Sequence, residues 1–171
     1  MSLGKKLIRK LKPGVEGEVE VEEDGVRAKA DVVGSGPYGA EVKGISVGRV
    51  DPRGESHRVR GDRMRRVLDD LPETLDYLPE RLAPLEADPA SGKGVLRTPR
   101  TDVRGREYYE VTVDGGDKVD VERYRGRDEA AGRDSVSQNY GHSIVERLVD
   151  DLGEIVGDSR DSVRSGDDEQ D

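Results

Sequence analysis

The chain has 171 residues and a formal net charge of −9 at pH 7, and it contains no cysteine, tryptophan or phenylalanine. The absence of cysteine excludes disulfides, thiolate metal sites and cysteine nucleophiles. The chain also contains no run of 18 apolar residues, which is the length that a helix needs to cross a membrane. Basic residues interrupt the N-terminal segment, which excludes the apolar stretch of a signal peptide, so we expect a cytoplasmic protein.

The balance of charged and apolar residues favours a protein adapted to high salt. Aspartate and arginine each occur 21 times but lysine only 8 times, and 22 valines outnumber 4 isoleucines. Concentrated salt strengthens the burial of apolar surface and screens the repulsion between carboxylates, so a thin core of small side chains suffices there. We therefore expect a halophilic protein, although a GC-rich genome would favour the same residues.

The first predicted element is a short basic amphipathic helix within residues 1–14. Apolar residues recur on one of its faces, five basic residues occupy the other, and Pro13-Gly14 ends it. A helix of this length is marginal in water, so its apolar face must be covered by the chain's own sheet, a second copy, a protein partner or a membrane surface. The residues expected to bind a partner are Leu3, Leu7, Ile8 and Leu11.

Residues 15–50 predict a three-stranded antiparallel meander with one buried and one acidic face. Valines and alanines alternate with charged residues on both sides of the turn at residues 23–25. The glycine-rich segment 34–39 (GSGPYG) leads to the third strand and matches G-x-G-x-x-G literally. Because a strand rather than a helix follows it, we interpret this segment as a plain turn and expect it to bind no nucleotide.

Residues 51–60 predict a polar loop, and a leucine stripe follows over residues 61–86. Its apolar residues recur at spacings of four and three, as on one face of a helix. Pro72, Pro79 and Pro84 argue against one continuous rod, so we expect two or three short helices that lie on the sheet. The stripe consists of Met64, Leu68, Leu71, Leu75, Leu78, Leu82 and Leu85.

The C-terminal half predicts a second hairpin and a closing helix. Strands at 107–113 and 118–124 flank a glycine-containing turn, and residues 125–134 are expected to form a polar loop. Ser143 and Glu146 match a capping box at the start of the last helix.

The predicted elements indicate an α+β fold: a mainly antiparallel sheet (meander plus hairpin) packed by short leucine-striped helices and a C-terminal helix. We divide the chain into the N-terminal helix (1–14), a single α+β domain (15–156) and an acidic tail (157–171). The tail has almost no apolar residues, so we expect it to be disordered.

Basic residues are concentrated in two islands on this acidic chain. Residues 1–12 carry a charge of +5, and residues 49–66 carry +4. Such a cluster can bind phosphates, pair with the acidic tail or lie solvated, and no aromatic residues are interleaved with it for stacking on bases. The basic island at 49–66 consists of Arg49, Arg53, Arg58, Arg60, Arg63, Arg65 and Arg66.

No motif predicts a catalytic, cofactor or metal site. The segment 89–94 (PASGKG) lacks two required positions of a P-loop, and no nucleophile elbow or orienting carboxylate accompanies His57 or His142. We therefore expect a non-enzymatic protein-interaction or assembly protein that binds a protein partner or itself, with no evident small-molecule site. The alternatives are a nucleic-acid-associated accessory protein that uses Arg49–Arg66, and an enzyme without a visible motif.

Overall fold

A computed structural model describes residues 1–99, 107–127 and 132–157, and these residues form three helices and one nine-stranded antiparallel sheet. The expected α+β class is thus confirmed, whereas the expected acidic tail lies, from residue 158 on, outside the described residues. No helix in the described ranges is long and apolar enough to cross a membrane. The elements are α1 (Leu3–Lys10), β1 (Gly17–Glu23), β2 (Val26–Ser35), β3 (Gly39–Arg49), α2 (His57–Thr74), β4 (Ala83–Asp88), β5 (Lys93–Arg97), β6 (Glu107–Asp114), β7 (Lys118–Gly126), β8 (Arg133–Ser135), β9 (Gln138–Gly141) and α3 (His142–Val156).

The two β regions expected from the sequence form a single sheet. Its strands lie in the order β1-β2-β3-β7-β6-β5-β4, and each neighbouring pair is antiparallel. The meander joins the second hairpin where β3 pairs with β7, with Ile45 opposite Val121. The alternation of apolar residues could not predict this contact, because it fixes the face of a strand but not its neighbour.

A short insert fills the gap where β3 and β7 separate. β9 pairs with the first residues of β3, and β8 pairs with the last residues of β7. Between them, the amide of Val136 donates to the carbonyl of Arg123 at 2.9 Å. The expected loop at 125–134 is therefore wrong at both ends, since β7 continues to Gly126 and β8 begins at Arg133. Backbone pairing creates this strand without any apolar alternation, and β8 is exposed throughout.

The helices cover one face of the sheet, and the hydrophobic core lies between this face and the helices. α1 and α3 contact β1, β2 and β3, while α2 contacts β4, β5 and β6. Leu7, Met64, Leu71, Leu148 and Leu152 are 0% exposed, and they belong to the same core as the inward-facing valines of the strands. The other face of the sheet carries no helix in the described chain and is termed the open face.

α2 begins earlier than the sequence predicts. It starts at His57, inside the expected loop 51–60, because Ser56 caps it: the amide of Val59 donates to the Ser56 hydroxyl at 3.4 Å. No residue of the helix is buried before Gly61. The apolar periodicity therefore gave no signal for the first turn.

The leucine stripe is helical only in its first half, so the expectation of two or three short helices is wrong. α2 is a single helix with Pro72 in its last turn, and residues 75–80 form turns and bends before the chain reaches β4. Pro79 and Pro84 suit turn and edge-strand backbone rather than a helix interior. Even so, Leu75, Leu78 and Leu82 remain buried, whereas Leu85 is 49% exposed.

The predicted capping box of α3 is also wrong. The helix begins one residue before Ser143, its N-cap is Gly141, and no side chain caps it. The pairing of β9 with β3 ends at Gly141, so β9 runs directly into α3 and fixes the first residue of the helix.

α1 covers one edge of the sheet. The ammonium groups of Lys6 and Lys10 donate to the backbone carbonyls of Glu22 and Glu20 in β1, at 3.1 and 2.9 Å. These bonds satisfy groups that an edge strand leaves unpaired. The basic residues of the first island thus protect β1 against pairing with another chain.

Candidate functional site

The apolar stripe of α1 is used within the chain. Leu3, Leu7 and Leu11 are 7, 0 and 1% exposed and belong to the core, and Ile8 packs partly buried against it. Four alternatives were expected to cover the apolar face of α1, and in the structure the rest of the chain itself covers this face. Partner binding through these four side chains stays a prediction, and their burial does not favour it.

The fold divides the basic island at 49–66. Four of its arginines surround the turn between β6 and β7: the guanidinium of Arg60 donates to the Asp114 carboxylate at 2.5 Å, and that of Arg53 donates to Asp117 at 3.3 Å. Arg63 pairs with Glu55 at 2.6 Å. These four residues, Arg49, Arg53, Arg60 and Arg63, are termed the arginine clamp.

Two members of the arginine clamp also hold the end of α3. Arg49 and Arg53 donate to the carbonyls of Val156 and Gly157, each at 3.5 Å. The last carbonyls of a helix carry partial negative charge and lack partners within the helix. The arginine clamp therefore binds the hairpin turn to the closing helix.

The rest of the basic island lies on α2. Arg58 and Arg65 are exposed and seven residues apart, so they share one face of the helix with Asp62 and Asp69. Arg66 is half-buried and has an interaction within the fold. Charges of alternating sign are typical of a solvated helix face rather than of a cationic track for a phosphate backbone.

The two longest stretches of the chain without a charged residue meet at the other end of β3. They are residues 32–40 and, with His142 counted as neutral, residues 135–145. Gly39 pairs with Gly141 and Ala40 pairs with Tyr140 across β3 and β9. The surface formed by these two stretches is termed the uncharged end.

The glycine-rich segment 34–39 forms the tip of the uncharged end. The expected turn is confirmed: the amide of Gly36 donates to the carbonyl of Gly39 at 2.9 Å, and strands lie on both sides. The amide of His142 donates to the carbonyl of Tyr38 at 2.9 Å and ties the turn to the start of α3. The Tyr38 side chain is 87% exposed, more than any other large apolar side chain in the described ranges.

A hollow of about 470 Å³ lies beside Tyr38, between the turn and β9. Asn139, Tyr140 and four glycines contribute to its lining, and Glu41 is the only charged residue among the described residues that line it. Glu41 accepts a hydrogen bond from the Ser137 hydroxyl at 2.5 Å. The hollow is thus polar but nearly free of charge.

Three of the glycines in this hollow are not required by the fold. Gly34, Gly36 and Gly141 do not have left-handed backbone, and a Cβ atom at any of them would lie 3.9 Å or more from its nearest neighbour. Gly39 differs, because a Cβ there would collide with the Tyr140 carbonyl. Glycine at the first three positions keeps the surface beside Tyr38 open.

The uncharged end contains no assembled catalytic group. No hydrogen bond joins the side chains of His142 and Ser143 in the part of the chain that the structure describes, so the Ser–His pair suggested by their adjacency is not formed. The Nε2 atom of His142 is buried without a partner there. Within the described ranges, no three His, Asp or Glu residues are placed to hold a metal ion.

A cluster on the open face was missed by sequence reasoning. Glu110 is 8% exposed and accepts hydrogen bonds from Arg97 and Arg133, both at 2.9 Å. Burial opposes ionisation of Glu110, but the two arginines outweigh it and hold the pKa of this carboxyl below its ordinary value. Burial raises the pKa of the Glu122 carboxyl opposite it, and the charges of Asp120 and Glu110 add to the rise.

This cluster fastens β8 to the sheet. The Arg133 guanidinium stacks 3.7 Å from the centre of the Tyr124 ring, and the Arg97 guanidinium lies 4.6 Å from that of Tyr108. The hydroxyl of Tyr124 donates to the Glu122 carboxylate. Arg133 lies in a segment predicted as a loop, so its position over β6 and β7 could not be read from the sequence.

No protein-family model, no curated protein and no solved structure matches the chain.

Proposed function

We propose that the chain is a non-enzymatic protein-interaction protein whose partner-binding surface is the uncharged end. The observation that carries this proposal is the meeting of the two longest uncharged stretches, with an 87% exposed tyrosine at their tip, in a chain of which 39% is charged. Interface cores are depleted of charged residues and enriched in tyrosine, and a few such anchors carry most of the binding free energy.

The glycines of the hollow support the same surface. A side chain at Gly34, Gly36 or Gly141 would meet no obstacle within the fold, so neither backbone strain nor packing accounts for glycine at these positions. Glycine in such places allows another molecule to approach the backbone closely.

A surface of this kind suits association in concentrated salt. Attraction between exposed charges is screened beyond about 3 Å at 1 M salt, whereas burial of apolar area becomes more favourable in salts that are excluded from the protein surface. The uncharged end would therefore keep its affinity under conditions that weaken a charged interface.

The nucleic-acid alternative has less support. The arginine clamp already contacts Asp114, Asp117 and the end of α3, and binding to phosphates would have to compete with these contacts. Only Arg58 and Arg65 of the basic island are exposed, and the acidic residue Asp62 lies between them on the helix.

The test is affinity capture of the tagged chain in a lysate of its own cells in molar KCl, with and without nuclease. Tyr38→Asp places a charge at the proposed anchor, and Val59→Asp is the matched control because Val59 is also an exposed apolar residue (40%) but lies on α2. We expect the wild-type chain and Val59→Asp to recover a nuclease-resistant protein and Tyr38→Asp to lose it.

Site-specific photocrosslinking makes the same test direct. A photoreactive phenylalanine at position 38 should crosslink to the recovered protein, and the same group at position 59 should not. Equal recovery by Tyr38→Asp and Val59→Asp would refute the proposed surface. Recovery that disappears with nuclease would instead favour the nucleic-acid interpretation.

A further inference from the structure

The uncharged end carries a protrusion and a hollow side by side. Tyr38 is 87% exposed and at the same time forms part of the rim of the hollow of about 470 Å³. In a dimer with a two-fold axis, the same patch of each copy faces its counterpart. A patch that carries a protruding ring next to a hollow is therefore complementary to itself, because one rotation brings each ring to the other hollow.

The lining of the hollow fits a tyrosine ring. Glycine at positions 34, 36 and 141 leaves part of its wall without side chains. Tyrosine buries an apolar ring but needs a hydrogen-bond partner for its hydroxyl group. Glu41 and Asn139 are among the residues that line the hollow, and both have side-chain oxygens that can accept such a bond.

Charge favours this end for contact between two copies. Each copy carries a net charge of −9, so contact between two copies brings the fewest like charges together where neither copy presents charged residues. The open face along β1, by contrast, is densely charged: Glu18, Glu20 and Glu22 form ion pairs with Arg27 and Lys29 of β2. Contact between two copies there would have to remove these charges from water.

We infer that the partner at the uncharged end is a second copy of this chain, with the Tyr38 ring of each copy inserted into the hollow of the other. This inference rests on the proposed function, since it names the occupant of the same surface.

The test is sedimentation equilibrium of the full-length chain in molar KCl over a wide range of concentration. We expect the wild type to be a dimer that dissociates on dilution. Tyr38→Ala removes the ring and Gly34→Leu fills the hollow, and each should weaken dimerisation at least about tenfold, as loss of an interface anchor does. Val59→Ala, which trims an exposed side chain on α2, should leave the dimer unchanged.

Mixing the two variants tests the reciprocal geometry. Tyr38→Ala retains a hollow without a ring, and Gly34→Leu retains a ring without a hollow. Neither variant can form the contact with itself, but a mixed pair can form one of the two contacts. Fluorescently labelled Tyr38→Ala should therefore bind Gly34→Leu more tightly than either variant binds itself.

Circular dichroism melting identifies variants that fail to fold, for which Tyr38→Ser and Gly141→Ser serve as replacements. A wild type that is monomeric at every concentration overturns the inference. If Tyr38→Asp then still loses a different protein in the capture experiment, the proposed function stands without the dimer. A dimer that both substitutions leave intact, or a mixture that does not associate, also overturns reciprocal insertion.

Discussion

Charged side chains are concentrated at one end of β3 and almost absent at the other. At Arg49, the arginine clamp bonds to carboxylates of the β6–β7 turn and to the last carbonyls of α3. At Gly39, at the other end of this 11-residue strand, the surface is almost free of charge and projects Tyr38 into solvent. Charge thus serves to hold the fold at the first end, whereas the second end has features that the fold itself does not need.

Glycine substitutions at the two ends should show the largest difference. Gly116 has φ +78°, and a Cβ there would lie 2.5 Å from Cγ of Arg63, whereas a Cβ at Gly34 meets nothing within 4 Å. A β-branched residue is strained in the left-handed region. We expect Gly116→Val to lower the free energy of unfolding by about 2–3 kcal/mol and Gly34→Val to change it by less than about 0.5 kcal/mol.

Urea unfolding of both variants at a fixed KCl concentration measures these values. Equal losses at Gly116 and Gly34 would show that the uncharged end is as tightly constrained by the fold as the clamp end, and would remove the contrast.

The buried carboxylate of the open face should give the next largest effect, and it depends on pH. Arginine bonds hold the pKa of Glu110 below its ordinary value, so its contribution to stability is present above about pH 4.5 and is lost as the pH falls through the lowered folded-state pKa. Hydrogen bonds from Arg123 and Arg125 lower the pKa of Glu107 in the same way. We expect Glu110→Gln to cost about 1–2 kcal/mol at pH 7 and progressively less below pH 4.5.

Thermal melts of the wild type and Glu110→Gln between pH 3 and pH 7 test the sign of this dependence. Two curves that stay parallel down to pH 3 would contradict it. Glu41→Gln at the uncharged end is the comparison, because its carboxylate accepts a hydrogen bond from the neutral Ser137 hydroxyl rather than from an arginine.

A single ion pair of the arginine clamp should contribute less. The side chains of Arg60 and Asp114 are 29% and 46% exposed, so solvent and salt screen their attraction. We expect Arg60→Ala to cost about 0.5–1 kcal/mol in dilute buffer, and less in molar KCl. Arg81 pairs with Glu73 at 72% and 78% exposure, and Arg81→Ala should have no measurable effect. If Arg81→Ala lowered the free energy of unfolding more than Arg60→Ala does, exposed ion pairs would stabilise this fold more than those of the arginine clamp.

Gly141→Ser should have the smallest effect on stability but a large effect on association. Gly141 is an N-cap without a side-chain bond and has φ −63° and ψ 150°, which serine also adopts. Gly141→Ser should raise the free energy of unfolding by a few tenths of a kcal/mol by capping α3. Its side chain adds bulk at the hollow, so binding at the uncharged end should weaken. If serine left binding unchanged, glycine at this position would not serve to keep the hollow open.

Composition and alternation predicted the fold class, because they report which residues are buried along each segment. Val19, Val21, Ala28 and Ala30 are buried as their spacing indicates. The burial of Leu78 and Leu82 was also predicted, although not the non-helical backbone that carries them. What escaped prediction depends on backbone pairing: the strand at Arg133–Ser135 has no alternation, and the first residue of α3 is fixed by β9.

The candidate site was predictable only in parts. The sequence showed a glycine-rich turn at 34–39 and a histidine at position 142, close to the predicted start of the last helix. No local pattern indicated that β3 and β9 pair and bring these two segments together. The length of their uncharged stretches, in a chain so rich in charge, was the signal that could have joined them. Adaptation to salt stays a prediction, as does the absence of catalytic activity.

The contact between α1 and α3 has a consequence for synthesis of the chain. The amide of Gly4 donates to Asp150 at 2.7 Å, and a side chain at Gly4 would strike the Glu146 carbonyl. During synthesis, α1 therefore waits for α3 before its apolar stripe is fully covered. At ordinary rates of translation this interval is on the order of ten seconds. A chain that terminates before α3 would leave part of that stripe uncovered for its whole lifetime, so we expect premature termination products of this protein to be targets for chaperones and proteases.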